Sequence, residues 1–174
     1  MEENWRGLGI VVVGTIIVYN LIKQFQGLWP YLSGFVAKSV AILLGLIGSV
    51  NLSFSGDLPV LSFNGFMVKI AQTCSGIDSI FLFTALYLGI LAWDWKILNK
   101  KKVFWLFFVG VVGAFMLNIV RIFLLILIGA YISRDFALNV FHTNASAILF
   151  LIYFAVFLKL SYGWMKKNIA EAFV

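Results

Sequence analysis

From Val103 to Tyr131 the chain is almost unbroken apolar sequence with a single charged side chain, Arg121. No feature narrows the possible folds more. In lipid every backbone N–H and C=O must find a partner within the protein, so such a run forms a helix. As one helix it spans roughly 42 Å at 1.5 Å per residue, against a hydrocarbon core of about 30 Å. It must tilt, project beyond the lipid, or break near Asn118 or Gly129. The rest of the chain is similar in kind: 63% of its 174 residues are hydrophobic and 11% charged. Soluble domains carry roughly twice that charged fraction. The sequence therefore reads as an all-α integral membrane protein forming a single membrane domain, with no sizeable soluble part.

Five spans are expected, at residues 8–22, 31–50, 76–95, 103–131 and 142–162. Lys38 lies near enough to the start of the second to snorkel back to the interface. The acidic leader, Glu2 and Glu3, does not read as a cleaved signal peptide. The net charge of +6 gathers in short loops beside apolar runs. That distribution speaks of topology rather than nucleic-acid binding. Lys23, Lys96, Lys100, Lys101, Lys102, Lys166 and Lys167 on one side make that side cytoplasmic, which turns the N-terminus and the Ser133 loop outward. One cysteine excludes an internal disulfide and a cysteine zinc cluster, and one histidine leaves little scope for a metal site. No cofactor or metal is expected.

Residues 51–72 differ from the apolar runs around them. Asn64-Gly65 between Leu58–Phe63 and Phe66–Ala71 is a strong hairpin signal, because a type I′ turn needs positive φ at both central positions. The expectation is a small outer β-hairpin, within residues 52–72, leading directly into Cys74. A plain interfacial loop is the alternative.

Cys74 is the only cysteine, and it sits where this polar segment meets the third apolar run. Ser75 and Asp78 have the spacing of a capping box, which places the thiol at a helix N-terminus. A lone cysteine there is ordinarily a packing residue. Its company raises its interest. Arg121 lies about 27 Å along the fourth run from Val103, in the outer leaflet, and His142 opens the fifth span on the same side. Thiol, imidazole and guanidinium from three spans thus reach one depth. Together they are the parts of a nucleophilic acyl-transfer site: nucleophile, general acid and base, and fixed positive charge for an oxyanion. Each also has a structural reading. Arg121 can snorkel or pair with Asp78 or Asp135, His142 can cap a helix, and Asn118 can bond Arg121, the backbone or another helix.

Thr73-Cys-Ser-Gly-Ile-Asp-Ser79, Asn118-Ile-Val-Arg121-Ile and His142 resemble, in order and spacing, the exosortase/archaeosortase family over about residues 34–159, in the manner of a compact archaeal-type member. The resemblance implies a membrane cysteine transpeptidase or protease at the outer face of the plasma membrane. Its implied substrates are secreted proteins ending in a short motif, a transmembrane helix and a basic tail. Its implied acceptor is an amine-bearing membrane lipid or a similar amine acceptor. Carried over, Cys74 is the nucleophile, with Arg121 and His142 the other essential residues and Asn118, Asp78 and Ser75 in support. A substrate helix is expected to pack on Gly45, Gly48, Gly110 and Gly113, and the cleavage motif to add to the hairpin edge. The alternatives are a protease that only hydrolyses and a non-catalytic membrane scaffold.

Overall fold

The computed structural model describes residue 24 and residues 27–56, 58–94 and 96–166. The expected first span, 8–22, lies outside the described residues. Helix α1, Trp29–Gly45, opens with Pro30 in its first turn, where a missing N–H breaks no helical bond. It was expected to continue to Val50 but ends at Gly45. The N–H groups of Ile47 and Gly48 both turn back onto the Leu44 carbonyl, and Val50 then begins a strand.

Three antiparallel strands follow in the order β1 (Val50–Ser55), β2 (Leu58–Phe63) and β3 (Phe66–Lys69). The β2–β3 hairpin closes through Asn64 and Gly65, whose φ values of 48° and 76° are both positive, as a type I′ turn requires. The expected hairpin was one strand short. β1 pairs along β2 from Val50 opposite Phe63 to Ser55 opposite Leu58, so the architecture is helical with a small meander sheet rather than all-α.

Helix α2 is Ile77–Asp94, α3 is Lys100–Tyr131, and α4, Ser146–Met165, is preceded by a π-helical segment, Phe136–Ala145. Among the described residues three helices are long and apolar enough to cross a membrane: Ile77–Asp94, Lys100–Tyr131 and Ala147–Met165. α1 is apolar but has only 17 residues, about 26 Å. Of the five expected spans, three thus match candidate spans, the second is a shorter apolar helix, and the first lies outside the described residues.

α3 is one helix through Asn118 and Gly129, about 48 Å long at 1.5 Å per residue. It starts on Asn99, whose side chain accepts from the N–H groups of Lys101 and Lys102. Its far end carries the sheet. Phe66 lies over Gly129, where a Cβ would collide with the ring, and the Asn64 amide donates to the Tyr131 hydroxyl at 3.0 Å. Ile122, Leu125 and Ile126 share one buried core with Val36, Val40 and Leu44 of α1 and with Leu61, Phe66 and Ile70. The excess length of the helix is therefore used as a post for the sheet.

A second core fills the other half of the bundle, around Phe83, Tyr87, Phe150, Phe154 and Met165. Phe83 packs into the space left by Gly110. Tyr153 packs over Gly113 and donates to the Gly110 carbonyl at 2.7 Å. These two glycines were expected to receive a substrate helix, but neighbouring helices of the protein already occupy them. Gly48 meets Phe63 in the same way, whereas Gly45 stays open.

Candidate active site

The chain from β3 to α2 is short and heavily constrained. Ile70 still bonds back to the Pro59 carbonyl, and the next residues tighten into a 3-10 turn, Gln72–Cys74. The Ser75 hydroxyl donates to the Gln72 carbonyl at 2.6 Å and accepts from the Ile77 N–H at 3.4 Å. The expected capping box is therefore not formed: Ser75 serves Gln72 and Ile77, and Asp78 is exposed on α2. Gly76 sets this geometry. Its φ of +88° is strained for any side chain, and a Cβ there would lie 2.9 Å from Phe115 Cδ2 and 3.1 Å from Asn118 Nδ2.

α3 holds the turn from the other side. Asn118 is 2% exposed, and its Nδ2 donates to the Cys74 carbonyl at 3.0 Å. Three residues on, on the same helical face, Arg121 Nη2 donates to the Thr73 carbonyl at 3.3 Å. Two consecutive carbonyls of the cysteine turn are thus bonded to one helix. Arg121 also acts on the Cys74 thiol by charge and hydrogen bond.

The third contribution comes from the π-helical segment. His142 was expected to open the last helix, yet it lies inside Phe136–Ala145, before α4 begins. A π turn is wider than an α turn and is frequent at functional sites. Here it accompanies an imidazole whose Nε2 is 3.5 Å from Cys74 Sγ. The structure therefore brings together Cys74, Arg121 and His142, with Asn118 and Ser75 bracing the turn. Thr73, whose part in the site nothing in the sequence announces, contributes a hydroxyl 4.0 Å from Sγ and the carbonyl that receives Arg121. Phe115, which walls off Gly76, had no signal beyond its helical spacing from Asn118.

Cys74 is 4% exposed. Burial pushes its thiol up from the ordinary value, and the Arg121 charge works in the opposite direction. Burial pushes the His142 imidazole down, and Arg121 pushes it further the same way. Both groups therefore rest neutral near pH 7, as thiol beside imidazole, an arrangement suited to proton transfer at the moment of attack. Beside them lies a pocket of about 300 Å³ lined by Thr73, Arg121 and His142, by Asp78, Ser79 and Leu82 of α2, and by Ala147 and Phe150 of α4.

With this geometry in place, the sequence comparison is decisive. Residues 1–159 match the family model of the transmembrane exosortase (Exosortase_EpsH). The chain belongs to the transmembrane exosortase family. Comparison with curated proteins and with solved structures returned no match. Exosortases are generally cysteine-dependent membrane proteases or transpeptidases, and in this exosortase the only cysteine is the one held against an imidazole and a guanidinium.

Proposed function

We propose that this exosortase is a cysteine transpeptidase that removes C-terminal sorting signals from secreted proteins at the outer face of the plasma membrane and passes them to an amine-bearing lipid. The observation that carries the reading is the 3.5 Å approach of Cys74 Sγ to His142 Nε2 beside Arg121. His142 takes the thiol proton as sulfur attacks the scissile carbonyl. Arg121 stabilises the oxyanion of the tetrahedral intermediate. His142 then returns the proton to the leaving nitrogen, and a thioacyl-enzyme remains for an amine to resolve. Asn118, through the Cys74 carbonyl, keeps the nucleophile in register.

The outward orientation rests on the basic residues. Lys96, Lys100, Lys101, Lys102 and Lys166 all lie at the end of the bundle remote from Cys74, and that end is cytoplasmic by charge. The substrate's extended motif adds to the outer edge of β3, where Met67 and Lys69 are exposed, and that strand leads on to Cys74. Disulfide scanning between residue 67 or 69 and the motif tests this, and absence of any crosslink removes it.

The test of the whole reading uses cells expressing the protein with a tagged secreted substrate bearing a C-terminal helix and basic tail. Wild type is expected to remove the tail and to add mass at the new C-terminus, and Cys74→Ala to do neither. Cys74-dependent loss that leaves a free carboxylate assigns hydrolysis instead. Processing unchanged in Cys74→Ala leaves a non-catalytic scaffold.

A further inference from the structure

The pocket beside Cys74 has two kinds of wall. Its polar lining is Thr73, Arg121 and His142 together with Asp78 and Ser79. Its other walls, Leu82, Ala147 and Phe150, are apolar. It sits between the ends of α2 and α4 nearest the site, and further along the bundle the space between the helices is filled by aromatic rings. There the Phe83 ring stands 5.2 Å from Phe157 and 5.8 Å from Phe154. Leu82 is itself 46% exposed, so the pocket opens on the flank of the bundle, where a membrane-embedded molecule arrives. Asp78 is the single acidic residue on its wall. Among the described residues no hydrogen bond or close ion pair engages its carboxylate, although Arg121 feels its charge.

We propose that this pocket is the amine subsite of the transfer reaction, with Asp78 as the residue that selects a primary ammonium carried on an apolar chain. The inference rests on the acyl-transfer reading above. By microscopic reversibility the incoming amine attacks the thioester from the side on which the leaving amine departed, so one subsite serves both. Entering as the ammonium against Asp78, the acceptor gives one proton to solvent and attacks as the free amine. The N–C bond forms, the C–S bond breaks, and the second proton passes through His142 to the Cys74 thiolate. No oxidant or further reactant is needed. The apolar wall of Leu82 and Phe150 takes the first methylenes of the chain, and Ser79 is placed to accept a hydrogen bond from the ammonium.

The alternative role for Asp78 is to balance the charge of Arg121 and the N-terminus of α2, and the two roles separate by competition. Full-length enzyme in detergent, acylated by substrate, is offered hydroxylamine, which is largely uncharged at neutral pH, together with ethanolamine or hexylamine, which are ammonium ions. The readout is the ratio of amine adduct to hydroxamate. Asp78→Asn is expected to lower that ratio about tenfold, Asp78→Glu to recover most of it, and hexylamine to exceed ethanolamine in wild type. An unchanged ratio in Asp78→Asn, with both products falling together, overturns the subsite and leaves charge balancing. Equal capture of hexylamine and ethanolamine overturns the apolar part of the assignment. Absence of any Cys74-dependent hydroxamate in wild type overturns the acyl-transfer reading itself.

Discussion

The two halves of the bundle treat their polar groups differently. In the half around Phe83 and Tyr87, polar groups are spent on structure. The Tyr87 hydroxyl donates to the Val103 carbonyl at 2.8 Å, the Tyr162 hydroxyl bonds Asp94, Ser161 bonds the Phe157 carbonyl, and the Asn99 N–H bonds the Met165 carbonyl at 2.8 Å. Gly110 and Gly113 there are filled by rings. In the half around Cys74, an imidazole, a guanidinium and a carboxylate line open volume, and the buried thiol lies 3.5 Å behind the imidazole. The buried Asn118 Oδ1 there has no hydrogen-bond partner among the described residues. Polar groups bonded to backbone hold helices together, whereas polar groups aimed at a cavity are available to a ligand. The contrast locates function without reference to any relative.

Substitutions should follow that division. The largest effect after loss of Cys74 itself is expected at Arg121. Arg121→Lys keeps the charge but loses the planar fork that bonds Thr73 while facing the thiol, and a fall in kcat of about 10²–10³ is expected. Wild-type expression with undiminished turnover would remove Arg121 from the chemistry. Next comes Asn118→Ala, which frees the Cys74 carbonyl. Small misplacements of a nucleophile cost about a hundredfold, so kcat should drop by that order with KM little changed. A change confined to KM would make Asn118 a binding residue instead.

The pH dependence is a smaller effect. His142 acts in its neutral form, and burial with the Arg121 charge lowers its pKa below the ordinary 6.5. The base therefore stays competent as pH falls through 6.5, and the acid limb of kcat/KM should lie below that value. A limb above it would mean that the imidazole is not held as described. The smallest expected effect lies in the other half. Tyr87→Phe removes one buried hydrogen bond, worth about 1 kcal/mol of stability, and should lower the melting temperature in detergent while leaving turnover unchanged. Loss of turnover at a wild-type melting temperature would dissolve the division between the halves.

Much of this was legible in the sequence, for physical reasons. Long apolar runs admit only helices in lipid, and Asn64-Gly65 specifies its own turn type. Cys74, Arg121 and His142 could be set at one depth by helical rise alone. What stayed hidden depends on packing. β1 carries a period-two pattern, Val50, Leu52 and Phe54 against Asn51, Ser53 and Ser55, but it directly follows an apolar helix and merges with it by composition. Nothing local distinguishes Gly110, filled by Phe83, from Gly45, which is open. The capping-box spacing of Ser75 and Asp78 is genuine, yet the positive φ of Gly76 diverts the hydroxyl to other partners. The π-helical setting of His142 has neither proline nor glycine to announce it.

The central claim is that Cys74 becomes acylated by substrate. The most direct measurement is the intact mass of the detergent-solubilised protein after brief exposure to substrate, before and after hydroxylamine. The account predicts an adduct equal in mass to the substrate minus its C-terminal helix and tail, located at Cys74, released as the hydroxamate, and absent from Cys74→Ala. Substrate cleavage that proceeds without such an adduct, and that persists in Cys74→Ala, would contradict it.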